Sequence, residues 1–72
     1  MDEMKRVYRA VFDLHARHAP YPRTLEEWDE VLDEILMISK LFHANPFVDT
    51  LLAAVYDQMD RAEKAEKEGV NQ

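Results

Sequence analysis

Apolar residues recur along this chain every three or four positions, which is the spacing of one face of an α-helix. Three such stretches cover residues 2–17, 25–43 and 46–67, and short polar or proline-containing segments separate them. The pattern predicts an all-α fold, a small three-helix up-down-up bundle formed by residues 1–67, with residues 68–72 as a flexible C-terminal tail. A helical hairpin completed by a second copy of the chain is the alternative architecture.

The apolar face of each predicted helix supplies the candidate core residues. On the first helix they are Met4, Val7, Tyr8, Val11, Phe12 and Leu14. On the second they are Leu25, Trp28, Val31, Leu32, Ile35, Ile38 and Phe42. On the third they are Phe47, Val48, Leu51, Leu52, Val55 and Met59. Because the three faces must meet in one core, we expect these side chains to be buried.

The two connections carry recognisable helix boundaries. In the segment HAPYPRTLEEWDE, the residues before Pro20 and Pro22 favour extended backbone, which ends the first helix. Thr24 and Glu27 have the spacing of a capping box, in which the hydroxyl accepts from a backbone N–H and the carboxylate reaches back to the cap. In HANPF, Asn45 is the predicted cap of the third helix. Both connections are therefore predicted to be corners between helices.

Composition excludes several classes of function. The chain has 72 residues, no cysteine and a single glycine, which excludes disulfides, thiolate zinc sites and a phosphate-binding glycine loop. Its net charge of −6 argues against binding a nucleic acid directly. There is no apolar run of membrane-spanning length and no signal-peptide pattern. We therefore expect a cytoplasmic protein that needs no cofactor.

Most of the negative charge lies on the predicted second helix. Between Thr24 and Ala44 there are six acids and one base, Lys40. By helical periodicity these acids fall opposite the core stripe, and Met37 and Leu41 point to the same side. An exposed apolar patch beside a charged surface is typical of a protein-binding site. The predicted partner-binding residues are Glu26, Glu30, Asp33, Glu34, Met37 and Leu41.

Other interpretations of this helix remain open. The acids can be an ordinary solvated face, and Met37 and Leu41 can belong to a wide apolar arc that touches two neighbouring helices. An obligate homodimer would bury Met37 and Leu41, or Phe47 and Tyr56, against a second copy. The acids also loosely resemble the paired carboxylates that hold magnesium in all-α nucleotide pyrophosphohydrolases. The third helix has no matching set of acids, so this remains a remote alternative.

Candidate catalytic and metal-binding residues are few. His15 and His18 are three residues apart, a spacing that brings two imidazoles near each other, but two ligands do not make a metal site. We expect His15 near the middle of the first helix's apolar face, with His18 at the helix C-terminus, where a cation is favoured. The single serine, Ser39, has no histidine at a fixed spacing. No catalytic, cofactor-binding or metal-binding residue is predicted.

Two stretches, LHARHAPYPRTLEEWDEVLDEI and NPFVDTLLAAVYDQMDR, together resemble short helical proteins of Gram-positive phages and prophages. The resemblance spans Leu14 to Arg61 and depends on the YPRT corner with Trp28 and on the NPF corner. It implies a protein that binds and redirects a host protein, as inhibitors of host nucleases such as anti-CRISPR proteins do. An acidic helix face can imitate the phosphate charge of a nucleic acid and occupy a basic cleft.

Overall fold

The computed structural model describes residues 2–69, which form three helices: α1 (Asp2–His18), α2 (Leu25–Leu41) and α3 (Pro46–Gly69). The predicted three-helix, all-α bundle is confirmed. The guanidinium of Arg6 lies 5.8 Å from the centre of the Phe42 ring, so α1 begins beside the end of α2. The Tyr8 and Phe47 rings meet edge to face, so α3 begins beside the start of α1. These contacts establish the up-down-up arrangement.

The predicted boundaries hold to within two residues. α2 ends at Leu41 and not at His43, while α3 continues to Gly69. Residues 68 and 69 are therefore helical and do not belong to a tail, and residues 70–72 of the predicted tail lie outside the described residues. Each helix of residues 2–69 falls short of the length or apolar character needed to cross a membrane.

The first corner begins α2 with a side-chain cap. Thr24 has extended backbone angles, and its hydroxyl accepts a hydrogen bond from the Glu27 N–H at 3.0 Å. The Glu27 carboxylate accepts from the N–H of Arg23, also at 3.0 Å, and not from that of Thr24 as the capping-box spacing predicts. The hydroxyl half of the prediction is confirmed, and the carboxylate half is shifted by one residue.

The second corner ends α2 without a glycine. The N–H groups of His43 and Ala44 donate to the carbonyls of Lys40 and Ser39, the paired bonds of a Schellman motif. Both residues have positive φ, 59° at His43 and 54° at Ala44. Asn45 then caps α3, because its side-chain oxygen accepts from the N–H of Phe47 at 2.8 Å. The predicted cap is confirmed.

A narrow core runs along the axis of the bundle. Its fully or nearly fully buried apolar residues are Val7, Val11, Leu14, Val31, Phe42, Val48, Leu52 and Met59. Partly buried side chains from all three helices, Ala10, Ile35, Ile38, Leu51 and Val55, pack against its main cluster. α2 contributes one fully buried residue, Val31, although it is the most apolar of the three helices by sequence.

Six residues predicted to be in the core are exposed: Met4, Tyr8, Phe12, Leu25, Leu32 and Phe47. The prediction was wrong for them because each apolar face is wider than the contact it makes. In a three-helix bundle a helix touches two neighbours, and side chains at the edge of its apolar stripe project beyond both. The exposed fraction reaches 83% at Leu25 and 69% at Phe12.

Candidate protein-interaction face on the second helix

Five of the six predicted partner-binding residues lie together on the solvent side of α2. Glu26, Glu30 and Asp33 are exposed, as are Met37 at 70% and Leu41 at 57%. At about 100° per residue they fall within one sector of the helix. We call these five residues the outer face. Its acids occupy the first half of α2 and its apolar residues occupy the second half.

Glu34, the sixth predicted residue, points elsewhere. One carboxylate oxygen lies 2.6 Å from Nε2 of His18, and the other accepts a hydrogen bond from the guanidinium of Arg17. Glu34 is about three-quarters buried and turns towards the end of α1. Its predicted outward orientation is therefore wrong. Glu27 and Glu34 are seven residues, about two turns, apart and share the side of α2 that faces α1.

His18 joins these two carboxylates. It is buried, with 8% exposure, and Nδ1 lies 2.9 Å from Oε2 of Glu27. With a carboxylate at each ring nitrogen, the imidazolium form donates both of its hydrogen bonds. The pKa of His18 is raised above its ordinary value. Burial is the largest single effect and lowers the pKa, but the hydrogen bonds to Glu27 and Glu34 and the charges of these two carboxylates together outweigh burial.

The pKa of Glu27 is correspondingly lowered. The backbone N–H of Arg23 is the largest cause and the hydrogen bond with His18 is the second. Glu27 therefore fixes the corner and the end of α1 at once. Helical periodicity predicted His15 near the middle of the apolar face of α1, and His15 is half-buried beside Phe12 in a shallow depression. The pairing of His18 was not predicted. Helical spacing places residues within one helix but does not say which side chains meet across a corner.

Four acids of α2 remain available to solvent. Glu26, Asp29, Glu30 and Asp33 are exposed and have no ion-pair partner among residues 2–69. Glu30 and Asp33 border a shallow depression of ≈ 420 Å³. Four unpaired negative charges on two turns of helix produce a local negative potential, which attracts basic surfaces. Asp29 belongs to this group, although it was not among the predicted partner-binding residues.

A second surface, the α2–α3 groove, lies on another side of α2. It encloses ≈ 410 Å³ and is mainly apolar; its lining residues are Leu32, Ile35, Leu36, Ser39, Asp49, Leu52, Ala53 and Tyr56. Trp28 packs against Tyr56, one of the lining residues, in an edge-to-face arrangement with ring centres 5.3 Å apart. Leu32 was predicted to lie in the core, and Leu36 was not among the predicted core or partner-binding residues. A groove between helices depends on how far apart they pack, which single-helix periodicity does not give.

Within residues 2–69, no group of three or more histidine, aspartate or glutamate side chains has the arrangement needed to hold a metal ion. His18, Glu27 and Glu34 are close together, but both imidazole nitrogens already face carboxylate oxygens. This cluster is an ion-pair network that joins α1 to α2.

Comparisons with protein-family models, with curated proteins and with solved structures gave no match for this chain.

Proposed function

We propose that this chain is a non-enzymatic protein-interaction module that binds a basic partner protein through the outer face of α2. The observation that carries the proposal is that one exposed side of α2 presents both acids without an ion-pair partner and large apolar side chains. Met37 and Leu41 are more than half exposed, and Glu26, Glu30 and Asp33 lie beside them. Such a combination of apolar contact and surrounding charge is what protein-binding sites use.

The acids favour a basic partner. Charges on the rim of an interface mainly raise the association rate, by steering the two proteins into contact. The unpaired acids of α2 can occupy the cleft of a nucleic-acid-binding protein, where they would replace phosphate groups. The phage-type resemblance implies the same kind of role, a protein that binds and redirects a host protein.

The orientation of the remaining acids supports a binding role over a catalytic one. Glu27 and Glu34 are held by His18, and Glu34 also by Arg17, while the other four acids of α2 face solvent. Metal-dependent hydrolysis needs carboxylates that converge on one ion within a cleft. α2 instead spreads its acids over an open surface.

The test is affinity capture from a lysate of the source organism at low and at moderate salt. The test variant carries Glu26→Gln, Glu30→Gln and Asp33→Asn. A control variant of equal net charge carries Asp13→Asn, Asp57→Asn and Glu68→Gln, which are exposed positions on α1 and α3. We expect wild type and control to retain the same basic protein, and we expect the outer-face variant or moderate salt to release it.

Two outcomes would contradict the proposal. If the control variant loses the partner as fully as the outer-face variant does, net charge and not this face is responsible. If the captured protein is retained by every variant at every salt concentration, the acids of α2 play no part in binding. Substitution of Met37 and Leu41 by serine then tells whether the apolar half of the face acts alone.

A further inference from the structure

The α2–α3 groove has the features of a helix-binding site. Leu32 and Leu36 form one wall, and Ala53 is a small residue on the opposite helix, where a small side chain allows close approach. Amphipathic helices bind such grooves through apolar residues repeated at one-turn intervals. Asp49 lines the groove, and Asp29 lies next to Leu36 by helical angle. The groove is therefore apolar inside, with two acids, Asp29 and Asp49, and one base, Lys40, near its edge.

The chain itself carries a helix surface of complementary character on α1. Met4, Tyr8 and Phe12 follow one another at intervals of four residues and are 55%, 49% and 69% exposed. We call them the α1 stripe. The bases Lys5 and Arg9 each follow a stripe residue and have no ion-pair partner among the described residues. The Tyr8 and Phe47 rings meet edge to face with centres 6.1 Å apart, which restricts the movement of the Tyr8 ring.

We propose that the α1 stripe of one copy of this chain docks in the α2–α3 groove of another copy. The two surfaces match in length: Met4 to Phe12 spans about 12 Å, and the groove from Leu32 to Ser39 spans about 10 Å. They also match in charge, because the bases beside the stripe would face the acids at the edge of the groove. An acidic groove packed against its own symmetry mate would instead oppose like charges.

This contact is separate from the outer face of α2. Leu36 lines the groove, while Met37, the next residue, is turned by about 100° around the helix axis. Both side chains are exposed, Leu36 at 59% and Met37 at 70%. They therefore form a matched pair: the same substitution at each position tests the groove and the outer face independently.

The experiment measures self-association by sedimentation equilibrium for wild type, Phe12→Asp, Leu36→Asp and Met37→Asp. We expect wild type to self-associate at concentrations below about 0.5 mM, and Phe12→Asp and Leu36→Asp each to weaken this at least about tenfold. Met37→Asp should behave as wild type. Helical circular dichroism checks that each variant is folded, and Phe12→Ser with Leu36→Ser are milder replacements if an aspartate variant unfolds.

Mixing the variants gives the sharpest test. Phe12→Asp retains an intact groove and Leu36→Asp retains an intact stripe, so the two together should form a 1:1 complex under conditions in which each alone is monomeric. A monomeric wild type would overturn the proposal. Undiminished self-association of Phe12→Asp would mean that another face pairs, and an equal effect of Met37→Asp would assign the contact to the outer face. Either result would also overturn it.

Discussion

The most consequential single residue of this protein is His18, which lies where three parts of the chain meet. Its imidazole binds Glu27 and Glu34 on α2, while the Glu27 carboxylate also holds the backbone of the corner at Arg23. The two hydrogen bonds are partly buried, so removing the imidazole leaves two half-buried carboxylates without their charged partner, which costs stability. Stability should therefore be sensitive to this position.

We predict that His18→Gln lowers the free energy of unfolding by about 1–3 kcal/mol, since two carboxylates lose a charged partner. His15→Gln is the control: His15 is half-buried at the surface of the same helix, and its replacement should change stability by less than about 0.5 kcal/mol. Urea denaturation of both variants near pH 6 measures the difference. Equal, small effects would show that the His18 network contributes little.

The same network predicts how stability changes with pH. The pKa of His18 is raised in the folded state above its ordinary value of 6.5, so its contribution is complete below 6.5 and is lost as pH rises through the raised value. The pKa of Glu27 is lowered from 4.5, so its contribution is present above 4.5 and is lost as pH falls through the lowered value. Wild type should be less stable at about pH 8 than at about pH 6. His18→Gln should remove most of that slope, and an unchanged slope would contradict the assignment.

At the scale of the helices, the helix boundaries were easier to predict than the side-chain contacts between helices. Thr24 and Asn45 cap their helices as their sequence positions indicate, because a cap is a local interaction between neighbours in the chain. The pairing of His18 with Glu34 joins residues sixteen positions apart. Whether such side chains meet depends on the geometry of the corner, which short sequence patterns do not encode.

The end of α2 leads to the prediction that a substitution by glycine increases stability. His43 occupies the position after the helix cap with φ of 59°, where glycine is normally found because a Cβ atom is disfavoured there. His43→Gly should therefore stabilise the protein by about 1 kcal/mol. The control is Ala54→Gly, at an exposed position inside α3, which should destabilise it by about 0.5–1 kcal/mol. Thermal melting compares the two, and destabilisation of similar size in both would show that the turn at His43 is not strained.

At the scale of the whole molecule, the sequence predicted the fold class but overestimated the number of apolar side chains that are buried in the core. Helical periodicity identified three apolar faces, and three helices formed. It did not predict that Phe12 and Leu25 would lie outside the contacts, because the width of a helix–helix contact depends on how the helices cross. The five outer-face residues were found from periodicity alone, since that argument needs only one helix. The α2–α3 groove depends on the packing of two helices and was not predicted.

A small core makes each buried residue important, and this can be measured. A domain of this size is expected to be stable by roughly 3–5 kcal/mol. Leu14 is completely buried, whereas Leu25 is 83% exposed. Leu14→Ala should cost about 2–5 kcal/mol and leave much of the protein unfolded at room temperature. Leu25→Ala removes the same atoms from the surface and should cost less than about 0.5 kcal/mol.

Circular dichroism and urea denaturation distinguish the two variants at low protein concentration, where self-association adds nothing to stability. A folded Leu14→Ala protein with near wild-type stability would mean that the bundle does not depend on this core.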